Sequence, residues 1–300
     1  MNAKEFIDLH THGVGKYDTN TDKPEEILKI AELHAKAGTT AILPTIYPGS
    51  IDKMRRNIEA VRIAMNIQSS AKQKASELPS FRASALILGV HLEGPFLNPI
   101  KCGALNRTSF IKPTLSSLKK LISGYENIIK VITIAPEIPG ALKLIEKCSD
   151  MGIRVNMGHS DATYKQAFDG KKAGATGITH IFNAMKPFHH REPGLAGLGL
   201  IDEDLYIEVI ADGFHLHPKT LELIFGIKRL DRIMLISDSV KGSNKKRVPV
   251  YGKKGVLAGS GITIKDSIKT LQSIGVPDAE IIEAATDNPL RYLNANKVCL

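Results

Sequence analysis

The amino-acid sequence predicts an α/β fold, the (β/α)8 barrel, and three observations lead to this prediction. Eight short apolar runs recur along the 300 residues, and most are followed by a segment with helical spacing. Strands that alternate with helices form a parallel sheet. Eight such units close into a barrel of about 250 residues, which this chain can accommodate. No linker rich in Pro, Gly or Ser divides the sequence, so residues 1–300 are expected to form a single domain.

The predicted elements follow one another in a regular order. The eight strands are FIDL at Phe6, TAIL at Thr40, LILGVHL at Leu86, IIKVITI at Ile128, IRVNM at Ile153, GITHI at Gly177, LYIEVI at Leu205 and RIMLIS at Arg232. The first helix begins at Pro24 with two glutamates and ends before Gly38, which are start and stop signals. The same form is found in IDKMRRNIEAVRIAMNIQ, TLSSLKKLIS, GALKLIEKCSDMG and DATYKQAFDGKKAG.

The composition argues against several classes of protein. No apolar stretch is long enough to span a bilayer, and the N-terminus has no signal-peptide core, so no membrane association is expected. The three cysteines, Cys102, Cys148 and Cys299, are odd in number and widely spaced, which predicts a reducing, cytoplasmic location. Aromatic residues make up only 5% and tryptophan is absent, which argues against base stacking.

The net charge of +9 favours an anionic partner, which could be nucleic acid, an anionic surface or a small substrate. Part of the excess lies in SNKKRVPVYGKK, residues 243–254. A charged run of this kind is typical of a solvated loop, and we expect a loop here rather than a nucleic-acid patch.

Metal-type side chains recur at the ends of the predicted strands. His10 and His12 end the first run, and side chains two positions apart on a strand point to the same side. The later runs end at Glu93, His159, His180, His215 and Asp238. In this barrel fold the chemistry lies at the C-terminal ends of the strands. A polar strand end explains any one of these residues but not their recurrence, whereas His34 lies within the first helix and is expected to be structural.

Several imidazoles together with a carboxylate suit a divalent metal, Zn or Fe(II). Glu93 has two oxygens and can bridge two ions. One ion could bind Glu93, His159 and His180, and a second could bind His10, His12 and the other Glu93 oxygen. The sequence therefore predicts a cofactor of one or two ions.

Asp238 has a natural role beside such a centre. A bound metal lowers the pKa of water from 15.7 to about 7. Asp238 could take a proton from that water and later give it to a leaving amine. The alternative is that Asp238 is a helix N-cap or only a metal ligand.

The set DLHTHG, HLEGPF, GHSDAT, THIFNAM, REPGLAG, ADGFH, LISDS and LAGS resembles the amidohydrolase superfamily, and more narrowly the N-acetylglucosamine-6-phosphate deacetylase family. The resemblance runs in order from about residue 6 to residue 293. HLEGPF, THIFNAM with REPGLAG, and ADGFH are specific to that branch. The resemblance implies a metal-dependent hydrolase of amino sugar metabolism. Its reaction would convert N-acetylglucosamine 6-phosphate to glucosamine 6-phosphate and acetate.

The resemblance also implies a role for each matching residue. The catalytic metal would bind to Glu93, His159 and His180, and an additional metal to His10 and His12. Asp238 would be the general base and acid. Arg191 would bind the phosphate, helped by Asn183 and Ala184, since a planar guanidinium suits a phosphate dianion. His215 would contact the sugar phosphate from the neighbouring subunit, so a homodimer is expected.

Other nearby residues receive simpler interpretations. The alternative for Arg191 is a surface ion pair. His189 and His190, just before it, are expected to be loop residues. His91 lies two positions before Glu93 and is expected to support the metal ligands or to pack against them.

The sequence departs from the family pattern in two places. Leu105 in KCGALN stands where the family has a histidine that polarises the acetamide carbonyl, and losing such a donor costs on the order of 100- to 1000-fold in turnover. Either a second metal at His10 and His12 replaces it, or the substrate differs, or the activity is weak. The family also carries a small β-sandwich built from both chain ends. Both halves are expected to be missing here, because the first strand begins at residue 6 and the chain stops soon after NPLRYLNANK.

Three other functions stay open. A divergent amidohydrolase could act on another N-acetylated sugar phosphate or on a nucleotide sugar, because a fold alone does not determine chemistry. A metal-dependent nuclease on a similar barrel would use the same ligand types, and the net charge would suit nucleic acid. The THIFNAM and REPGLAG loops argue against it, and no nucleic-acid partner is expected. A non-catalytic sugar-phosphate sensor would explain Leu105 but would not need Asp238.

Overall fold

A computed structural model of the chain describes residues 6–74, 84–243, 249–252 and 255–294. In chain order its strands are β1 (Phe6–Thr11), β2 (Gly13–Val14), β3 (Tyr17–Asp18), β4 (Thr39–Ile46), β5 (Leu86–Ile87), β6 (Val90–Glu93), β7 (Ile129–Ile134), β8 (Arg154–Met157), β9 (Gly177–Ile178), β10 (Tyr206–Ile210) and β11 (Ile233–Ile236). Every run predicted to be a strand contains one.

Eight of these strands form a parallel barrel in the order β1-β4-β6-β7-β8-β9-β10-β11. The barrel closes beyond the end of β11, where Ser239 forms a parallel bridge with Thr11. The backbone N–H of Asp238 donates to the His10 carbonyl at 2.9 Å, and that of His12 donates to the Ser239 carbonyl at 2.8 Å. The (β/α)8 prediction is confirmed, and the closure places the ends of the first and last strands side by side.

The third predicted run is two strands rather than one, because of Gly89. Its backbone φ of +147° is a value that residues other than glycine rarely adopt. A Cβ atom at this position would lie 2.4 Å from the carbonyl oxygen of Ile128. The run therefore divides into β5, which pairs with β4 outside the barrel order, and β6, which enters the barrel.

Helices surround the barrel and follow the strands, as the sequence predicts. They are α1 (Pro24–Lys36), α2 (Ile51–Lys74), α3 (Leu115–Ile122), α4 (Ala141–Asp150), α5 (Tyr164–Lys172), α6 (Gly194–Ile201), α7 (Pro218–Ile227), α8 (Ile264–Ser273), α9 (Asp278–Ala285) and α10 (Asp287–Leu293). Pro24 occupies the first turn of α1, and Thr163 with Gln166 forms a capping box at α5. None of the helices described is both long and apolar enough to cross a membrane.

The buried apolar side chains form two groups. The larger group lies between the strands and the helices. The smaller group fills one part of the barrel and consists of Ile7, Leu9, Ala41, Leu43, Val131, Met234, Leu290 and Tyr292. Because Leu290 and Tyr292 belong to α10, that helix packs against this group. Polar side chains occupy the rest of the interior, toward the C-terminal ends of the strands.

Two predictions concern segments that the structure covers only in part. Within residues 243–254, positions 244–248 and 253–254 lie outside the described residues, so the solvated-loop prediction stays a prediction. The sheets of the described residues are the barrel and the β2–β3 hairpin, and a β-sandwich is not among them.

Candidate metal centre

The end of β1 brings two histidines into the mouth of the barrel. Between the pairs Asp8–Ile42 and Thr11–Pro44, β1 has one residue more than β4, which is a β-bulge. Beyond the bulge, Thr11 contacts His34 of α1 on the outside, with Oγ1 and Nε2 3.0 Å apart. The two histidines that flank Thr11 both face inward, and their Nε2 atoms lie 3.2 Å apart.

Glu93, the last residue of β6, lies between four imidazoles. Its Oε1 atom is 3.0 Å from His180 Nε2 and 3.1 Å from His159 Nε2. The same oxygen is 3.6 Å from His10 Nε2, and Oε2 is 3.2 Å from His12 Nε2. One carboxylate therefore faces the two groups of ligands that the sequence predicts.

Asp238 follows β11 and completes the cluster. Its Oδ1 atom lies 3.6 Å from Nε2 of both His10 and His12. The Asp238 side chain is 12% exposed, whereas that of Glu93 is 3% exposed. Asp238 is thus more accessible to a substrate from the open end of the barrel.

The backbone at this site is strained. Asp238, His159 and His180 have φ values of +47°, +47° and +27°, in a region that residues other than glycine seldom occupy. Such strain costs of order 1–3 kcal/mol per residue and concentrates at functional sites. Here it directs three side chains toward one point at the ends of three strands.

The outer ring nitrogens establish where the protons lie. In three of the four rings, Nδ1 faces an atom that can only accept a hydrogen bond. The acceptors are Glu208 Oε2 at 3.0 Å for His10, the Thr45 carbonyl at 3.1 Å for His12 and the Lys101 carbonyl at 2.9 Å for His159. A neutral ring with its hydrogen on Nδ1 has a bare lone pair on Nε2. In each of these rings Nε2 faces Glu93 and carries a hydrogen only when the ring is charged, so the centre is built to hold a cation, either a proton or a metal ion.

A divalent metal ion fits this arrangement. Two groups have all their ligand atoms within 4.8 Å of one another: Glu93, His159 and His180, and His10, His12 and Asp238. Imidazole nitrogens with carboxylate oxygens are the donor set of many zinc and iron sites. The chain therefore has side chains that could bind a metal at the mouth of the barrel.

The pKa values in the cluster show the same preference for a cation between the imidazoles and Glu93. Burial lowers the pKa of His10 to about 4, so that ring is neutral. Burial acts in the same direction on His180, but the hydrogen bond and charge of Glu93 outweigh it and raise the pKa to about 9. Burial disfavours the ionised form of Glu93, yet His12 and the other histidines hold its pKa well below the ordinary value. A metal ion that binds here displaces a proton.

A third buried group of metal-type residues, His10, His91 and Glu208, has a different character. Both ring nitrogens of His91 already have partners, the Leu9 carbonyl at 3.1 Å and Thr133 Oγ1 at 2.9 Å. Its ring lies edge-on against that of His10, with centroids 4.6 Å apart. His91 therefore supports His10 from behind.

The loops after β6 and β9 meet above His159. Asn183 and Ala184 follow His180 in the second loop, and the Ala184 carbonyl accepts from the N–H of Ser160 at 3.2 Å. A Cβ atom at Gly103, in the first loop, would lie 3.3 Å from Ala184 Cβ and 3.7 Å from His159 Cε1. Leu105, half-buried, lies two residues further along that loop.

The structure places the other two predicted substrate residues apart from the cluster. Arg191 is exposed, and its guanidinium contacts His190 Nε2 at 3.2 Å. No carboxylate of the described residues forms an ion pair with it. His215 Nδ1 lies 2.7 Å from Asp212 Oδ2, and Asp212 Oδ1 accepts from the backbone N–H of His215. Neither Arg191 nor His215 hydrogen-bonds to the cluster among the residues described.

Sequence reasoning missed two residues beside the cluster, Glu208 and Tyr47. Glu208 lies within the apolar run LYIEVI and is fully buried. An acidic residue inside a predicted strand needs a polar partner when it is buried, and this could have pointed to Glu208. Tyr47 follows β4 and stacks on His12 with ring centroids 3.9 Å apart. Nothing in the sequence near Tyr47 indicates that contact, because it joins two different strands.

Comparison with known proteins gives a consistent result. Residues 6–298 match the amidohydrolase family. The chain is 32% identical to an N-acetylgalactosamine-6-phosphate deacetylase of Escherichia coli O157:H7, over 98% of this chain and 78% of that protein. It is 34% identical to an N-acetylglucosamine-6-phosphate deacetylase of Bacillus subtilis, over 89% of this chain and 68% of that protein.

Solved structures agree with the sequence comparison. The N-acetylglucosamine-6-phosphate deacetylase of Thermotoga maritima aligns with a TM-score of 0.80 and 29% identity, over 97% of this chain and 78% of that one. The corresponding Mycobacterium smegmatis enzyme aligns with a TM-score of 0.81 and 27% identity, over the same shares. The resemblance found in the motifs is confirmed, and the chain belongs to the amidohydrolase family.

Proposed function

We propose that this protein hydrolyses the N-acetyl amide of a phosphorylated amino sugar, with N-acetylglucosamine 6-phosphate as the leading substrate. The products would be glucosamine 6-phosphate and acetate. The proposal rests mainly on the geometry of the cluster. Four imidazoles surround Glu93, and Asp238 lies at the more accessible edge. The names of the relatives support the same reaction and substrate class.

Glu93, His159 and His180 would hold the catalytic ion, and His10 and His12 would hold a second one. Zinc or Fe(II) suits these ligands. Such an ion would supply Lewis acidity at the amide carbonyl and would make a nearby water acidic at neutral pH. The side chains of the protein would transfer the proton and bind the substrate.

Asp238 would move the proton. It would accept a proton from the attacking water as the new C–O bond forms. It would then give that proton to the nitrogen as the C–N bond breaks, so that the amine leaves in neutral form. The hydrogen bond from the Asp238 N–H to the His10 carbonyl supports this role, because it holds the carboxylate beside the metal ligands.

Arg191, helped by Asn183 and Ala184, would bind the phosphate, and His215 would contact the sugar phosphate. The exposed guanidinium of Arg191, which has no carboxylate partner among the described residues, is suited to this task. Asp212 holds Nδ1 of His215, so its Nε2 is available to a ligand. In a homodimer, His215 would serve the substrate of the neighbouring subunit.

Leu105 has no hydrogen to donate to the acetamide carbonyl. The second ion, at His10 and His12, would replace the missing donor. The paired Nε2 lone pairs of these histidines support this, because they suit a cation and not a neutral ligand. The same proposal includes a single catalytic domain over residues 1–300 and a cytoplasmic location, which the odd number and wide spacing of the cysteines favour.

The test is a comparison of substrates with the zinc-loaded protein. Acetate release would be measured from N-acetylglucosamine 6-phosphate, N-acetylgalactosamine 6-phosphate, unphosphorylated N-acetylglucosamine and its nucleotide sugar. We expect kcat/KM to be highest for one of the two 6-phosphates. The galactosamine substrate is included because the Escherichia coli relative carries that name. Equal rates with and without the phosphate would contradict the proposed substrate class.

A further inference from the structure

Glu208, on β10, is a carboxylate buried behind the cluster. Its side chain is fully excluded from solvent. Oε2 accepts from His10 Nδ1 at 3.0 Å, and Oε1 accepts from the side-chain amide of Asn156 on β8 at 2.8 Å. The backbone N–H of His180 also points at Oε2, at 3.4 Å. Glu208 on β10 thus contacts His10 on β1, Asn156 on β8 and the backbone just after β9.

A carboxylate at this depth is costly to the fold. Removing a charge from water is unfavourable unless donors surround it, and apolar side chains of similar volume often stabilise a barrel interior equally well. No lysine or arginine among the described residues forms an ion pair with Glu208. Among the described residues its oxygens are therefore hydrogen-bonded by N–H donors, and one of those donors belongs to His10.

His10 differs from the other three imidazoles in the hydrogen-bond partner of its Nδ1 atom. The Nδ1 atoms of His12 and His159 donate to neutral backbone carbonyls. His180 Nδ1 has no hydrogen-bond partner among the described residues. Of these four rings, only His10 has a carboxylate as the partner of its Nδ1 atom among the described residues. A charged acceptor makes a stronger hydrogen bond and increases the basicity of the opposite nitrogen.

We propose that Glu208 is a positioning residue that prepares His10 to bind the second metal ion. It holds the Nδ1–H tautomer and directs the Nε2 lone pair toward His12, Glu93 and Asp238. This inference rests on the metal centre of the proposed function. It adds a requirement: the second ion depends on a carboxylate that does not touch it.

Glu208→Gln is the informative change because it keeps the size and removes the charge. Both His10 Nδ1 and Asn156 Nδ2 donate to Glu208, and a glutamine has one acceptor oxygen in place of two. The glutamine oxygen can accept from only one of these donors unless the Asn156 amide turns over, and in every arrangement His10 loses its charged acceptor. Asn156→Ala is the matched control, since it removes the other partner of Glu208 and leaves the bond to His10.

The experiment is a titration of metal-free protein with zinc against a chromophoric chelator, for the wild type and both variants. For Glu208→Gln we expect one zinc ion to bind roughly 10- to 100-fold more weakly, as is typical when a partner of a metal ligand is removed. Asn156→Ala should leave zinc affinity close to that of the wild type. Equal weakening in both variants, or no weakening in Glu208→Gln, would overturn the proposal.

A second measurement does not depend on the variants folding. Long-range ¹H–¹⁵N spectra of the metal-free wild type should show His10 as the neutral Nδ1–H tautomer, and the Nε2–H form would overturn the proposal. Neither measurement uses substrate. A wild type that releases no acetate but shows the Glu208 effect would refute only the proposed function. An active wild type whose zinc binding ignores Glu208→Gln would refute only this inference.

Discussion

The Nε2 atoms of His10 and His12 lie 3.2 Å apart, and the Nδ1 atom of each ring faces an acceptor. When both rings are neutral, as metal binding requires, their Nε2 lone pairs point at each other with no hydrogen between them. Such a contact is unfavourable unless a cation lies between the nitrogens. This relationship leads to the first prediction.

His10→Asn and His12→Asn should each lower the zinc content by one ion per chain. The other ion would stay with Glu93, His159 and His180. Of these three residues, only Glu93 would also contact the ion that is lost. Metal content by mass spectrometry of the purified proteins checks this. His217→Asn is the control, because His217 caps α7 from outside the cluster and asparagine is also a good cap. Loss of both ions, or of neither, would contradict two separable sites.

Tyr47 should stabilise the protein through its ring rather than its hydroxyl. Its ring stacks on His12 with an interplanar angle of 15°. Aromatic pairs contribute about 0.5–1.5 kcal/mol beyond the burial of their area. Tyr47→Leu should therefore lower the free energy of unfolding by about 2 kcal/mol, because it also leaves space unfilled. Tyr47→Phe should change it by less than about 0.5 kcal/mol, as measured by urea unfolding.

The sequence was sufficient to predict the barrel and the cluster, because both depend on a repeated local pattern. Each strand end carries its own signal, and a barrel brings those ends together. It was not sufficient for Glu208 and Tyr47, whose roles depend on contacts between strands far apart in the chain. The division of the third run at Gly89 was missed for a similar reason, since the close approach to the Ile128 carbonyl involves the next strand.

Arg191→Ala should raise KM for a 6-phosphate substrate by about 10- to 100-fold, because a charge-assisted contact contributes about 1.5–3 kcal/mol. Unphosphorylated N-acetylglucosamine should be unaffected. Steady-state kinetics on both sugars checks this. Arg229→Ala is the control, since that exposed arginine pairs with Asp231 at 3.0 Å. An equal effect on both sugars would show that Arg191 does not recognise the phosphate.

Lys228 should make the stability depend on pH. Burial, with smaller effects from nearby positive charges, lowers its pKa from 10.5 to about 8. Between these values the unfolded chain binds more protons than the folded one, so the free energy of unfolding should rise with pH. Relative to Lys228→Met, the wild type should gain about 2–3 kcal/mol from pH 8 to pH 10.5.

Urea unfolding of both proteins across this pH range provides the measurement. The substitution can displace the whole stability curve of the variant, so the informative quantity is the change in the difference with pH. Lys219→Met is the control, because Lys219 is exposed and pairs with Glu222 on the surface of α7. Parallel curves for the wild type and Lys228→Met would mean that Lys228 keeps an ordinary pKa.

The most direct test of the account is acetate release from the two hexosamine 6-phosphates by zinc-loaded wild type and Asp238→Asn. Asp169→Asn on α5, whose partner is the exposed Lys165, serves as the matched control. We expect rapid release by the wild type and the control, and at least about 100-fold slower release by Asp238→Asn with unchanged metal content. No release by a folded, metal-loaded wild type, or equal release by Asp238→Asn, would contradict the account.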